Sequence, residues 1–150
     1  MHTVKTVAKL ITVGGTIFAL AGCSTVTRLE GAVPGTTLAI RGVERTHLPR
    51  EENLSSKATG QYEFMATSPE GKKVYGLLPL KVNGGTMAMS IIFFAPAQFI
   101  GGFRDVFPFY QVDAEKNSIR FKLNEKDEWR QYQPLVVEGQ RAKEYFDTQK

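Results

Sequence analysis

A single cysteine, two histidines and one tryptophan are spread over 150 residues. One cysteine cannot close an internal disulfide, so the chain has to be held by its apolar core or by what it binds. Two histidines without a second cysteine make a poor zinc site. His2 stands in the N-terminal segment, and His47 lies in the charged stretch ERTHLPRE, where it reads as a solvated loop histidine rather than a base or a ligand. No Gly-x-Ser-x-Gly elbow presents a serine nucleophile. The glycine pairs Gly84-Gly85 and Gly101-Gly102 lack the following Lys-Ser/Thr of a phosphate loop and read as turns. Glu125, Asp127 and Glu128 are interleaved with Lys126 and Arg130, which is the pattern of a solvated charged turn. There is no dense Lys/Arg stripe and no recognisable nucleic-acid module, so nucleic acid is not an expected partner.

What is present is a globular composition, with 42% hydrophobic and 23% charged residues and ten phenylalanines. The length suits one compact domain. The formal charge is +4, but Lys5 and Lys9 belong to an N-terminal segment without acids. Beyond residue 22, 17 basic residues face 15 acidic ones.

That N-terminal segment has three parts: a positively charged start (MHTVKTVAK), an apolar run of eleven (LITVGGTIFAL, 10–20), then Ala21, Gly22 and Cys23. This is the layout of a secretory signal peptide. The run is too short to span a bilayer, which takes about twenty apolar residues. Leu20-Ala21-Gly22-Cys23 resembles the lipobox of bacterial lipoproteins. The residue types suit the chemistry: a thiolate is the best side-chain nucleophile for a diacylglyceryl donor, and small residues before it let the backbone enter a narrow peptidase site. The resemblance implies cleavage between Gly22 and Cys23, with diacylglyceryl and N-acyl groups on Cys23 as the covalent additions and no other cofactor. In a Gram-negative source, Ser24, in place of the Asp that retains lipoproteins at the inner membrane, implies the outer membrane, periplasmic side. The expected organisation is a signal peptide over 1–22, a lipidated cysteine and tether over 23–36, and one β-rich domain over 37–150.

Along that domain, TLAIRG (37–42) and QYEFMATS (61–68) alternate apolar and polar residues and read as strands. Residues 43–60 read as a long polar loop. VYGLLPLKV (74–82) is a strand broken or bent at Pro79. DVFPFYQV (105–112) and SIRFKL (118–123) flank DAEKN as a hairpin, with Phe109, Ile119 and Phe121 expected on one face. Residues 124–134 fit a helical turn or a last strand. Residues 138–150 group Ala142, Tyr145 and Phe146 at helical spacing, which suggests a C-terminal helix packed on the sheet. The fold class is mainly β, a small antiparallel sandwich or open sheet with a short C-terminal helix. Pro34-Gly35 before a strand and Gly60-Gln61-Tyr62 before another resemble the PEGA-type β-modules of bacterial surface proteins.

From Val82 to Phe103, 22 residues carry no charge. Three readings fit: a buried strand bent at Pro96, an apolar contact surface that includes Phe93, Phe94, Phe99 and Phe103, or a membrane span. An anchor without catalytic residues points to a non-enzymatic envelope lipoprotein. Its partners would be the membrane, through the lipid, and a protein bound for recognition or envelope assembly. The alternatives are an immunity lipoprotein that neutralises a periplasmic toxin, or a carrier or enzyme acting on an apolar lipid or glycan.

Overall fold

A computed structural model of the chain describes residues 24–57, 60–82, 91–92 and 104–149. Its first sheet has five strands in the order β12-β11-β10-β1-β4, built from β1 (Ser24–Gly31), β4 (Arg50–Ser55), β10 (Phe109–Asp113), β11 (Ser118–Lys122) and β12 (Arg130–Tyr132). The second sheet runs β3-β2-β5-β6, from β2 (Thr37–Ile40), β3 (Val43–Arg45), β5 (Glu63–Thr67) and β6 (Lys73–Leu77). A third, smaller sheet places β7 (Leu80–Val82) between β8 (Ile91–Ile92) and β9 (Arg104–Val106). One helix, α1 (Val136–Thr148), ends the chain. The fold is mainly β with a short C-terminal helix, as the alternation pattern implies.

Strand alternation sorts the layers, because successive side chains point to opposite faces. In the second sheet Leu38, Ile40, Phe64 and Ala66 are buried together with Leu29, Leu54, Tyr110, Val112, Ile119 and Phe121 of the first, as one core. Met65 and Tyr75 are register partners on the opposite face. There Tyr75 meets Phe146 of α1 with ring centroids 6.1 Å apart. Ala142 and Phe146 are buried under the helix. The order is therefore first sheet, core, second sheet, helix. Gly76 makes room for this packing: a Cβ there would lie 2.8 Å from Cε1 of Phe64 and 2.9 Å from Cγ of Pro134. At the N-terminus of α1 Glu138 reaches back, and its Oε2 accepts from the Leu135 N–H at 2.7 Å and from the Tyr132 hydroxyl. Burial raises the Glu138 carboxyl above its ordinary range.

Four expectations need correction. The tether over 23–36 is largely strand: β1 lies between β10 and β4, so the folded domain includes residues 24–31 and does not start at residue 37. Its inward face carries Thr27, a polar residue, which hides the strand in the sequence. The Thr27 hydroxyl is satisfied in the core by donating to the Phe107 carbonyl at 2.7 Å. The polar loop 43–60 contains β3 and β4, and within β4 only Leu54 is buried. Phe109 does not share a face with Ile119 and Phe121. Tyr110 pairs with Phe121 and Val112 with Ile119, which leaves Phe109 on the other face beside Lys122. Finally, β1 and β10 pair in parallel, the exception in otherwise antiparallel pairings.

Two further readings agree with the structure. Chain 74–82 is broken before Leu80, with β6 and β7 in different sheets. The 113–117 turn is held by Asp113, whose Oδ1 accepts from the N–H groups of Glu115 and Lys116 at 3.0 Å each. Asn117 closes that turn with φ 49°.

Candidate functional site

The described residues bring cations together at the end of the domain where the chain enters. Ser24, directly after Cys23, pairs with Ser55 at the end of β4. Two residues further on, Lys57 forms a backbone bridge with Arg104, the first residue of β9, through reciprocal N–H···O bonds of 2.8 Å. Lys57 extends over the Tyr62 ring, with its Nζ 4.6 Å from the centroid. The Tyr62 hydroxyl donates to the Ser55 carbonyl at 2.7 Å, which holds the ring against β4. Asp105 turns to the other face of β9, where it accepts from the Ser56 hydroxyl.

Electrostatically this corner is positive. Burial lowers the pKa of Lys57, and Arg41 and Arg104 lower it further, while Glu63 acts in the opposite sense. Arg41 sits in the β2–β3 turn with φ 48°, followed by Gly42 with φ 80°. Two successive residues in the left-handed region make the tight hairpin connection that matches strand twist, at some cost for the non-glycine residue. Arg104 itself is 1% exposed. Its Nε, Nη1 and Nη2 have no hydrogen-bond partner among the described residues. Burial lowers its pKa, yet a guanidinium stays charged in a protein.

A second concave region, of about 570 Å³, lies between residues 30–36 and 46–49. His47 lines it and is exposed. Glu30, its one lining carboxylate, is held by Arg28 at 2.8 Å and receives a long bond from Gln111 Nε2 at 3.5 Å. The groove thus offers His47 no unengaged carboxylate to form an acid–base pair. We expect His47→Ala to change stability by less than about 0.5 kcal/mol, as at an ordinary surface site. Urea unfolding measures this, and a larger loss would show a contact that the exposed ring does not make.

A third hollow of about 360 Å³ is lined by Phe107, Lys122 and Trp129 among others. Lys122 fills part of its wall, with Nζ 4.7 Å from the Trp129 ring and donating to the Glu125 carbonyl at 2.5 Å. It reads as a packed turn rather than an open receptor.

Leu20, Ala21, Gly22 and Cys23 lie outside the described residues, as do Phe93, Phe94, Phe99 and Phe103. Among the described residues no group of three or more His, Cys, Asp or Glu is placed to hold a metal ion. No described helix is long and apolar enough to cross a membrane. Sequence reasoning missed Lys57 and Arg104. Arg104 carried a signal, since it is the first charge after the 22 uncharged residues. Lys57 carried none, because its neighbour is 47 positions away and becomes one only by strand register. The chain matches no protein-family model, no curated protein and no solved structure.

Proposed function

We propose that the chain is a bacterial envelope lipoprotein. Lipid on Cys23 anchors it to the outer membrane, and a non-enzymatic domain facing the periplasm binds a protein partner or supports envelope assembly. The observation that carries this reading is the adjacency of Leu20-Ala21-Gly22-Cys23 to a folded strand: the lipobox cysteine is followed at once by Ser24, the first residue of β1. A cysteine lipidated there holds the domain against the bilayer instead of on a long leash. Confinement to a surface raises its effective concentration near membrane-bound partners. Two or more acyl chains give stable anchoring, at about 0.8 kcal/mol per buried CH₂.

Partner binding is favoured over catalysis by the surface around α1. Leu135, Val136 and Val137 are consecutive and exposed, Val136 at 79%. A run of exposed aliphatic residues on a monomer surface suits contact with another protein. His47 stands exposed, and the one carboxylate lining the same groove, Glu30, is already engaged by Arg28.

Metabolic labelling with a palmitate analogue tests the anchor. The parent chain should take up label and fractionate with membranes. Cys23→Ala should lose both the label and peptidase cleavage, because there is no other thiol. Label retained in Cys23→Ala would refute the assignment.

A further inference from the structure

Arg104 poses a physical problem that the fold alone does not solve. A guanidinium held out of water with no counter-charge is among the costliest groups a protein can keep. At 1% exposure, with three nitrogens unpartnered among the described residues, Arg104 is in that position. Its surroundings add to the cost. Its bridge partner Lys57 is a second cation, and Arg41 acts on Lys57 in the same sense as Arg104, with Glu63 acting in the opposite sense. The neighbouring carboxylate, Asp105, lies on the opposite face of β9 and bonds to Ser56. An anion from outside the chain would supply the missing charge.

We propose that Arg104, Lys57 and Arg41 form a binding site for the phosphate of a membrane lipid headgroup. The planar guanidinium fork matches two oxygens of an oxyanion, and an ammonium beside it supplies a compact point charge. Adjacent cations on paired strand positions, Lys57 and Arg104, suit a phosphate that carries more than one negative charge better than a single carboxylate. The lipid source follows from position and rests on the lipoprotein reading. Ser24 pairs with Ser55, and Lys57 is two residues, or about 7 Å of strand, beyond that pair. The site therefore lies at the end of the domain nearest Cys23. The anion site itself rests on Arg104 and stands without the lipid on Cys23.

The test uses the full chain with Cys23→Ala, purified in a neutral detergent and followed by thermal unfolding in phosphate-free buffer. The probes are inorganic phosphate, dihexanoylphosphatidic acid and, as the uncharged control, dihexanoylglycerol. The phosphatidic acid should raise Tm saturably and at lower concentration than inorganic phosphate, and the diglyceride should leave Tm unchanged. Arg104→Met should unfold no lower than the parent in the absence of phosphate, because it removes an uncompensated charge, and should lose the ligand-induced shift. Lys57→Gln should fold and bind at least about tenfold more weakly, the loss expected for one charge-assisted bond. A shift retained in Arg104→Met, or an equal shift from dihexanoylglycerol, would overturn the site. Should Arg104→Met not fold, unchanged affinity in Lys57→Gln overturns it instead. Equal stabilisation by inorganic phosphate and by the lipid would overturn the lipid source. Failure of the lipoprotein reading shows separately, as absence of label on Cys23, and leaves the phosphate response of this unlipidated chain unaffected.

Discussion

Replacing Tyr110 by Phe should destabilise the domain by about 2–4 kcal/mol, although it removes one oxygen atom. Tyr110 is fully buried. Its hydroxyl accepts from the Phe107 N–H at 2.9 Å and donates to the Pro79 carbonyl at 2.5 Å. One hydroxyl on β10 thus ties together the chain leaving β9 and the break between β6 and β7. Burial holds the phenol well above its ordinary pKa, so it remains a neutral donor. Phenylalanine would keep the packing but leave a buried N–H and a buried C=O without their partner, and each unmade bond costs about 1–3 kcal/mol. Urea unfolding should show a lower midpoint with an unchanged slope. A loss below about 0.5 kcal/mol, the scale of an ordinary surface change, would mean that the two backbone groups find other partners. Because Phe107 and Pro79 flank β9 and β7, the same substitution should also weaken phosphate binding at Arg104.

The second large effect concerns Arg45 and Glu52, which join β3 to β4. Arg45 is buried to 4% exposure, and its Nε and Nη2 donate to the two carboxylate oxygens of Glu52, while Nη1 donates to the Val43 carbonyl. Glu52→Gln should cost about 2–3 kcal/mol near neutral pH, because it leaves a buried guanidinium without its counter-charge. This is less than the roughly 3–5 kcal/mol of a fully enclosed pair, since the Glu52 side chain keeps 23% exposure and water screens it.

The pH dependence distinguishes this ion pair from simple packing. The bond from Arg45 holds Glu52 below its ordinary pKa of 4.5, against the opposing effect of burial. In the window between the lowered folded value and 4.5, the unfolded chain binds more protons. The contribution of Glu52 is therefore complete above 4.5 and is lost as pH falls through the folded value. The raised pKa of Glu138 acts in the opposite sense, weakening the fold as pH rises through and above its ordinary 4.5. That effect is common to parent and variant and cancels in their difference. Stability measured by urea unfolding should thus differ most near neutral pH, and the gap should close in acid. A gap that persists unchanged in strong acid would assign the loss to packing instead of charge.

Local chemistry in the sequence determined a good part of this protein. Period-two alternation located β2, β5, β10 and β11, since each buries apolar residues on one face and needs little else to declare itself. Helical spacing of Ala142 and Phe146 located α1. The acylation reading of Cys23 is likewise wholly local, a matter of four consecutive residues after an apolar run. What local pattern could not express is partnership. In β1 and β4 most side chains are polar, and these segments are strands because their backbone groups find one another in register, Ser24 against Ser55 through Leu29 against Arg50. Phe109 looks like a core residue by type, but the pleat that buries Tyr110 turns it to the other face beside Lys122. The candidate site is the extreme case. Arg41 lies in a hairpin turn, Lys57 follows an edge strand and Arg104 opens β9, and nothing in their spacing relates them. Sheet register draws Lys57 and Arg104 together, because long-range backbone hydrogen bonds set which ends of strands meet, and burial then leaves Arg104 charged with no partner among the described residues.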